Sequence, residues 1–250
     1  MPIWLEAGGW GLLAGGALVI GATIAWFIRV PQAVVAGVMA FGAGVLISAL
    51  AFDLVDEAER TGGLRPTAVG FLAGAVAYVG ANIYLARRGA RHRKRSAAMM
   101  PSEAQQSGSG TAIAVGALLD GVPESVVLGL SLLDGAGVGI AVLAAVFISN
   151  LPEGLSSAAG MKASGRSAAY VFGVWSSIAV ACGLSGMVGV LALEDASPET
   201  IALITAVAAG AMLAMIADTM IPEAFEQTRL YTGLIATVGF ILAFAISRSA

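Results

Sequence analysis

Asp120-Gly121-Val122-Pro123-Glu124-Ser125 and Ser149-Asn150-Leu151-Pro152-Glu153-Gly154 decide how this sequence is read. Each stretch carries a Pro-Glu pair with polar residues about one turn earlier, and each interrupts an apolar run, Ala104 to Leu119 in one case and Gly135 to Pro152 in the other. A charged side chain within a membrane-spanning helix costs about 2.5–3.5 kcal/mol on insertion scales, so each needs a physical reason. A proline inside a helix kinks it and removes a backbone donor, which leaves the carbonyls of Leu119 and Ile148 free. At helical spacing Asp120 and Glu124 share one face, as do Ser149 and Glu153, and Asn150 with Glu153. If the two kinked helices face each other near the bilayer middle, three carboxylates, an amide, hydroxyls and freed carbonyls converge. Such a set does not stay ionised in low dielectric without a cation, and a divalent ion is the natural counter-charge. The competing reading is that each glutamate is protonated, or bonded to a neighbouring helix, and merely stabilises a kink.

The surrounding composition fixes the solvent. Of 250 residues, 58% are hydrophobic and 12% charged, and the mean hydropathy is +0.88. A water-soluble domain carries about 25% charge, so an ordinary soluble enzyme is excluded and the chain belongs in a bilayer. A formal net charge of -3 draws no anionic partner. The single cysteine, Cys182, excludes a disulfide framework or a multi-cysteine metal site within one chain. A spanning helix needs about 20 mostly apolar residues. Charge-free runs between Glu6 and Arg29, Arg29 and Asp53, and Arg65 and Arg87 supply three spans, the two Pro-Glu segments a central pair, and Ser167 to Leu193, Thr200 to Ala217 and Leu230 to Ser247 three more. The expectation is an all-α protein with eight transmembrane helices (3+2+3) in one domain, 1–250, with a cytoplasmic loop at about 87–110.

Lys and Arg set the orientation. With the N-terminus outside, inner loops hold Arg29, Arg87, Arg88, Arg91, Arg93, Lys94, Arg95, Lys162, Arg166 and Arg229, ten of the 13 basic residues, and both termini face outward. The opening Met-Pro-Ile-Trp-Leu-Glu lacks a basic region, so the first helix is expected in the mature protein. The run Arg91-His92-Arg93-Lys94-Arg95 reads as a topology signal beside a span that can touch anionic lipid. No aromatic residue is interleaved there for bases to stack on, so no nucleic-acid partner is expected.

The two Pro-Glu segments resemble the fourth and fifth helices of the ZIP family of metal transporters, whose pattern is His-Asn-x-Pro-Glu followed by polar-polar-x-Pro-Glu-Gly. Ala51-Phe52-Asp53-Leu54-Val55-Asp56-Glu57-Ala58 is similar to the family's second-helix ending, His-Leu-Leu-Pro-Glu-Ala. Gly210-Ala211-Met212-Leu213 with Asp218-Thr219-Met220-Ile221-Pro222-Glu223-Ala224 is similar to its seventh helix. The resemblance implies a ZIP-like fold in which helices 1, 4, 5 and 6 form a bundle that slides against the other four. It also implies a metal site between helices 4 and 5, made here of Asp120, Glu124, Ser149, Asn150 and Glu153, and it alone suggests a homodimer. The departures are specific. Asp120 and Gly121 stand for the family's His-Asn, Ser149 for the fifth-helix His or Gln, Gly183-Leu184-Ser185-Gly186 for a sixth-helix Gly-Leu-Thr-Glu, and Thr219 for an acidic position in the seventh.

Imidazole and thiolate favour zinc, whereas carboxylate, amide and water suit Mg, Ca and Mn. With no histidine near the site, the expectation is a single all-oxygen site where Mn, Fe(II) and Mg compete with Zn, the metal being substrate and no organic cofactor being required. Asp53 and Asp218 close the second and seventh helices on opposite sides; they are either part of an ion path or ordinary helix-end charges. Asp56, Glu57 and Glu59 form an outer acidic rim, and Glu6 has the same ambiguity. Met212, Met215 and Met220 are expected to pack rather than bind soft metal, Cys182 to be a small buried residue, and the abundant glycines to permit close helix approach. The leading reading is transport of divalent cations toward the cytoplasm across the cell membrane. A protein of this fold that binds or senses metal without transporting it is the alternative. An intramembrane hydrolase would want a motif such as His-Glu-x-x-His, and none exists, so no enzyme is expected.

Overall fold

The computed structural model of the chain describes residues 1–87, 109–133 and 139–249. The basic run with Arg91 and His92, and most of the expected 87–110 loop, lie outside the described residues. Within them the chain is helical and no strand occurs.

Helix α1 (Ile3–Phe27) starts after Pro2 and ends where Ile28 turns extended. Pro31, which cannot continue a helix, fixes the start of α2 (Gln32–Ala49). α2 does not stop there: a π-helical turn, Leu50–Leu54, carries it directly into α3 (Val55–Gly62). Gly63, at φ 83°, takes a left-handed conformation open to glycine and reverses the chain into α4 (Leu64–Leu85). α5 (Ser109–Leu130) and α6 (Ile140–Ala163) hold Pro123 and Pro152 in their interiors. α7 (Ala168–Leu193) and α8 (Pro198–Met215) are started by Ser167 and Ser197, whose hydroxyls accept from the amides of Tyr170 and Thr200. A second π-turn, Ile216–Met220, leads into α9 (Ile221–Thr228), and a 3-10 turn, Arg229–Tyr231, opens α10 (Thr232–Ser249).

Six stretches are long and apolar enough to cross a membrane: Ile3–Phe27, Gln32–Gly62, Leu64–Leu85, Val142–Ala163, Ala168–Leu193 and Pro198–Ser249. The last folds into two long helices, α8 and α10. Leu12, Leu72, Val76, Val180, Leu184, Val188, Ile241 and Leu242 stand exposed around the bundle. An apolar coat of that extent suits lipid rather than water, so this is a multi-pass all-α membrane protein.

The helices pack in two groups, which meet mainly where α2 lies against α6 and α8 against α5. α1 lies against α6 and α7, and α7 against α5; in the second group α4 lies along α8, and α2 along α10 and α9. Close approaches give the directions. Ala14 meets Asn150, and Leu18 meets Gly154, so α1 and α6 are parallel. Gly8 meets Met187 and Gly15 meets Ala179, so α1 and α7 are antiparallel. Gly70 and Gly74 meet Leu203 and Val207, and Phe41 and Asp53 meet Gly239 and Ser247, which makes α4 parallel to α8 and α2 parallel to α10. The end where α1 starts, called upper here, therefore also collects α3 and the ends of α2, α5 and α10, with the starts of α6 and α8.

The chain repeats itself with inverted direction. α2, its π-turn and α3 have 18, 5 and 8 residues, and α8, its π-turn and α9 also have 18, 5 and 8. Each α2-like helix pairs with the last helix of the other repeat, α2 with α10 and α8 with α4. The pair α5 and α6, one Pro-Glu each, sits between the repeats. Inverted repeats of this kind put polar sites at their interface, near mid-membrane.

Candidate metal centre

All five residues singled out in the two Pro-Glu stretches are buried in the helix bundle: Asp120 is 3% exposed, Glu124 2%, Ser149 1%, Asn150 3% and Glu153 5%. Asp120, Glu124 and Glu153 are the fully buried acidic side chains among the described residues, and no Lys, Arg or His is buried with them. An ion pair, Arg60 with Asp56, lies on the surface at the upper end.

Close packing builds the site's walls. Gly154, directly after Glu153, brings α6 onto the Leu18 carbonyl of α1, and Gly21 returns the approach onto Leu151. A side chain at either would strike backbone. This contact lets the Asn150 amide donate to the Ala14 carbonyl at 3.1 Å, which fixes the amide and leaves its oxygen as an acceptor for another partner. Gly42 of α2 rests on the backbone of Ile148 and Ser149. The Ser149 hydroxyl donates to Val146 O at 2.9 Å and that of Ser125 to Gly121 O at 2.8 Å, so both direct their lone pairs away from their own helices' carbonyls. Gly121 also makes room for Cys182 Sγ, and Cys182 lies beside Ser125 and within electrostatic reach of Glu124 and Glu153. Cys182 is thus a buried wall of the centre.

Tyr78 of α4, itself 1% exposed, donates its hydroxyl to Asp120 Oδ1 at 2.7 Å. Sequence reasoning missed it. The available signal was a polar pair one turn apart, Tyr78 and Asn82, inside an otherwise apolar span.

Among the described residues, no three His, Cys, Asp or Glu side chains come together closely enough to hold one metal ion. The three carboxylates expected to converge are all buried, but they do not form a three-acid cluster. The reason is architectural. α5 and α6 touch over a short stretch, and α1 and α7 fill most of the space beside them. The donors on offer to a cation are carboxylate, amide, hydroxyl and main-chain carbonyl oxygens.

Asp53 and Asp218 both fall in π-turns, at opposite ends of the bundle. Asp53 accepts from Ser247 at 2.7 Å and lines an upper cavity of about 390 Å³ with Asp56, Glu57, Arg60 and Thr61. The cavity's inner wall includes Val127, one turn above Glu124, and Val142, two turns above Ser149, so apolar side chains separate it from the buried acids. Asp218 is exposed. Met212, Met215 and Met220 pack in the largest apolar cluster.

Compared with known proteins, the chain matches no family model and no curated sequence.

Proposed function

We propose that this chain is a ZIP-like permease that moves divalent metal cations toward the cytoplasm, with Asp120, Glu124, Ser149, Asn150 and Glu153 supplying the oxygen donors along the ion's path. The observation that carries the reading is the burial of three carboxylates in one helix bundle, where no Lys, Arg or His is buried among the described residues. In low dielectric a carboxylate must either be neutral or have a cation beside it. Oxygen donors without imidazole favour Mn, Fe(II) and Mg relative to what a histidine site would bind, so zinc loses its usual advantage. Three further observations support the reading. The division into α1, α5, α6 and α7 against α2, α4, α8 and α10 coincides with the two bundles that the ZIP resemblance implies. Arg29, Arg87, Lys162, Arg166 and Arg229 gather at the lower end, opposite Asp56, Glu57, Glu59, Glu194 and Glu199. Under the positive-inside rule the lower end is cytoplasmic, the eight long helices α1, α2, α4, α5, α6, α7, α8 and α10 are the eight spans, and both termini face outward. The acid-lined upper cavity then concentrates cations on the outer side, in the cell membrane.

The hydrogen bond from Tyr78 to Asp120 favours a second reading, a protein of this fold that binds or senses metal without passing it, because it ties the Asp120 carboxylate to a neighbouring helix. Uptake into proteoliposomes loaded with a metal-sensitive dye separates the two. Wild-type protein should admit Mn and Zn, and Asp120→Ala or Glu153→Ala should lower the rate at least tenfold. Unchanged uptake by both variants overturns the site, and metal binding by wild-type protein without any uptake establishes the second reading.

A further inference from the structure

The Tyr78 hydroxyl and the Asp120 carboxylate belong to different helix groups, α4 to one and α5 to the other. The other long-range side-chain hydrogen bonds described above stay within a group. Asn150 to Ala14 O joins α6 to α1, and Ser247 to Asp53 joins α10 to the end of α2. Two turns further along α4 the contact between the groups is apolar, where Leu85 meets Leu119 of α5. Apolar contacts between smooth surfaces tolerate small displacements, because dispersion and burial have no preferred direction. A hydrogen bond between buried groups does not. It weakens steeply once its angle or distance departs from the optimum, and its separated partners are left without water.

Asp120 is also a proposed cation ligand, so two demands meet at one carboxylate. A cation drawn to its oxygens withdraws the electron density that the phenol proton attracts, and it pulls the carboxyl toward the other donors on α5 and α6. Each event therefore weakens the other, and a coupling between two sites acts equally in both directions. Transporters built from inverted repeats expose their site alternately by moving one bundle against the other. A bond that crosses the seam and ends on the ligand is placed to tie that movement to occupancy.

We propose that Tyr78 is a positioning residue that latches the two helix groups through Asp120 while the site holds no cation, and that a divalent cation on Asp120 releases the latch. The proposal rests on the metal-site reading above. It predicts that Tyr78→Phe, which removes one oxygen and keeps the ring, tightens cation binding because the competing bond is gone. It also predicts that this variant allows the groups to shift without cation.

The test uses full-length protein in nanodiscs, with spin labels on exposed Ser177 of α7 and exposed Thr237 of α10, one in each group, and Zn²⁺ as the probe. In wild-type protein, saturating Zn²⁺ should broaden or shift the interlabel distance distribution. In Tyr78→Phe the same distribution should appear before Zn²⁺ is added, and calorimetry should show Zn²⁺ bound three- to tenfold more tightly. Unchanged distances and unchanged affinity in this variant overturn the latch. If Asp120→Ala also binds Zn²⁺ as wild type does, the metal-site reading fails as well; if Asp120→Ala loses binding, that reading stands and only the latch falls. Should Tyr78→Phe not fold, 3-fluorotyrosine placed at position 78 of the otherwise unaltered chain gives a direct readout. Its ¹⁹F resonance should move on adding Zn²⁺, and a resonance that stays fixed at saturation overturns the proposal.

Discussion

Replacing Asp120 by histidine would change the chemistry offered to a cation more than the space the side chain fills. Imidazole is the ligand zinc prefers over manganese, and the other donors at the site are oxygens. Asp120→His should therefore raise the affinity for Zn²⁺ relative to Mn²⁺ by about tenfold in a competition titration. An unchanged ratio would count against Asp120 as a direct ligand. That Asp120 needs a physical reason was legible in the sequence, because an acid inside an apolar run is expensive and the run offers no base to pair with it. Its hydrogen-bond partner was not legible. Tyr78 lies 42 positions earlier, and helices that are apolar around most of their circumference give no periodic signal of which neighbour each face meets.

Between elements, backbone contact decides the packing. A Cβ on Gly74 of α4 would fall on the Val207 carbonyl oxygen of α8, and one on Gly210 of α8 would fall on that of Phe71. Backbone has no rotamer with which to step aside, so the helices must part. Gly74→Ala and Gly210→Ala should each cost about 1–3 kcal/mol, the usual range for overpacking, read as a lower thermal unfolding midpoint in detergent. Gly80→Ala is the control within α4, since nothing stands within 4 Å of the position. It should leave the midpoint unchanged or raise it slightly, because alanine loses less chain entropy than glycine in a helix. That the chain folds into long apolar helices could be read from charge-free runs, because lipid admits few charges and sets a minimum length. Their actual ends could not. Asp53 reads as a terminus by its charge, yet α2 continues through it to Gly62, since a π-turn alters the hydrogen-bond pattern without altering composition.

For the molecule as a whole, charge asymmetry fixes the orientation under the proposed topology. Ala163 at the lower end of α6 and Asp195 beyond the upper end of α7 are both exposed, and Cys182 is buried, which makes the native thiol a silent background. On intact cells, a membrane-impermeant maleimide should label Asp195→Cys and leave Ala163→Cys unlabelled until the membrane is opened. The reverse pattern would invert the protein and with it the direction of transport. The inverted repeat was only half legible. The similar segments Asp56-Glu57-Ala58 and Pro222-Glu223-Ala224 occupy corresponding places in the two halves, but equal helix lengths and exchanged pairings appear only once the chain is folded.

Each of those halves carries, at the same distance from its helix start, one residue more than a regular α ladder would use there. A surplus residue can be surrendered. Excising Ala217, whose side chain is exposed, should let the second five-residue turn close into plain α-helix, so that the helix beyond it keeps its angular phase and the polypeptide still elutes as one sharp species. Excising Ala43, fully enclosed in the regular part of α2, rotates everything downstream by about 100° and should yield aggregate. The slack that tolerates the first deletion is local freedom in the backbone, stored a few residues from each end of the proposed route.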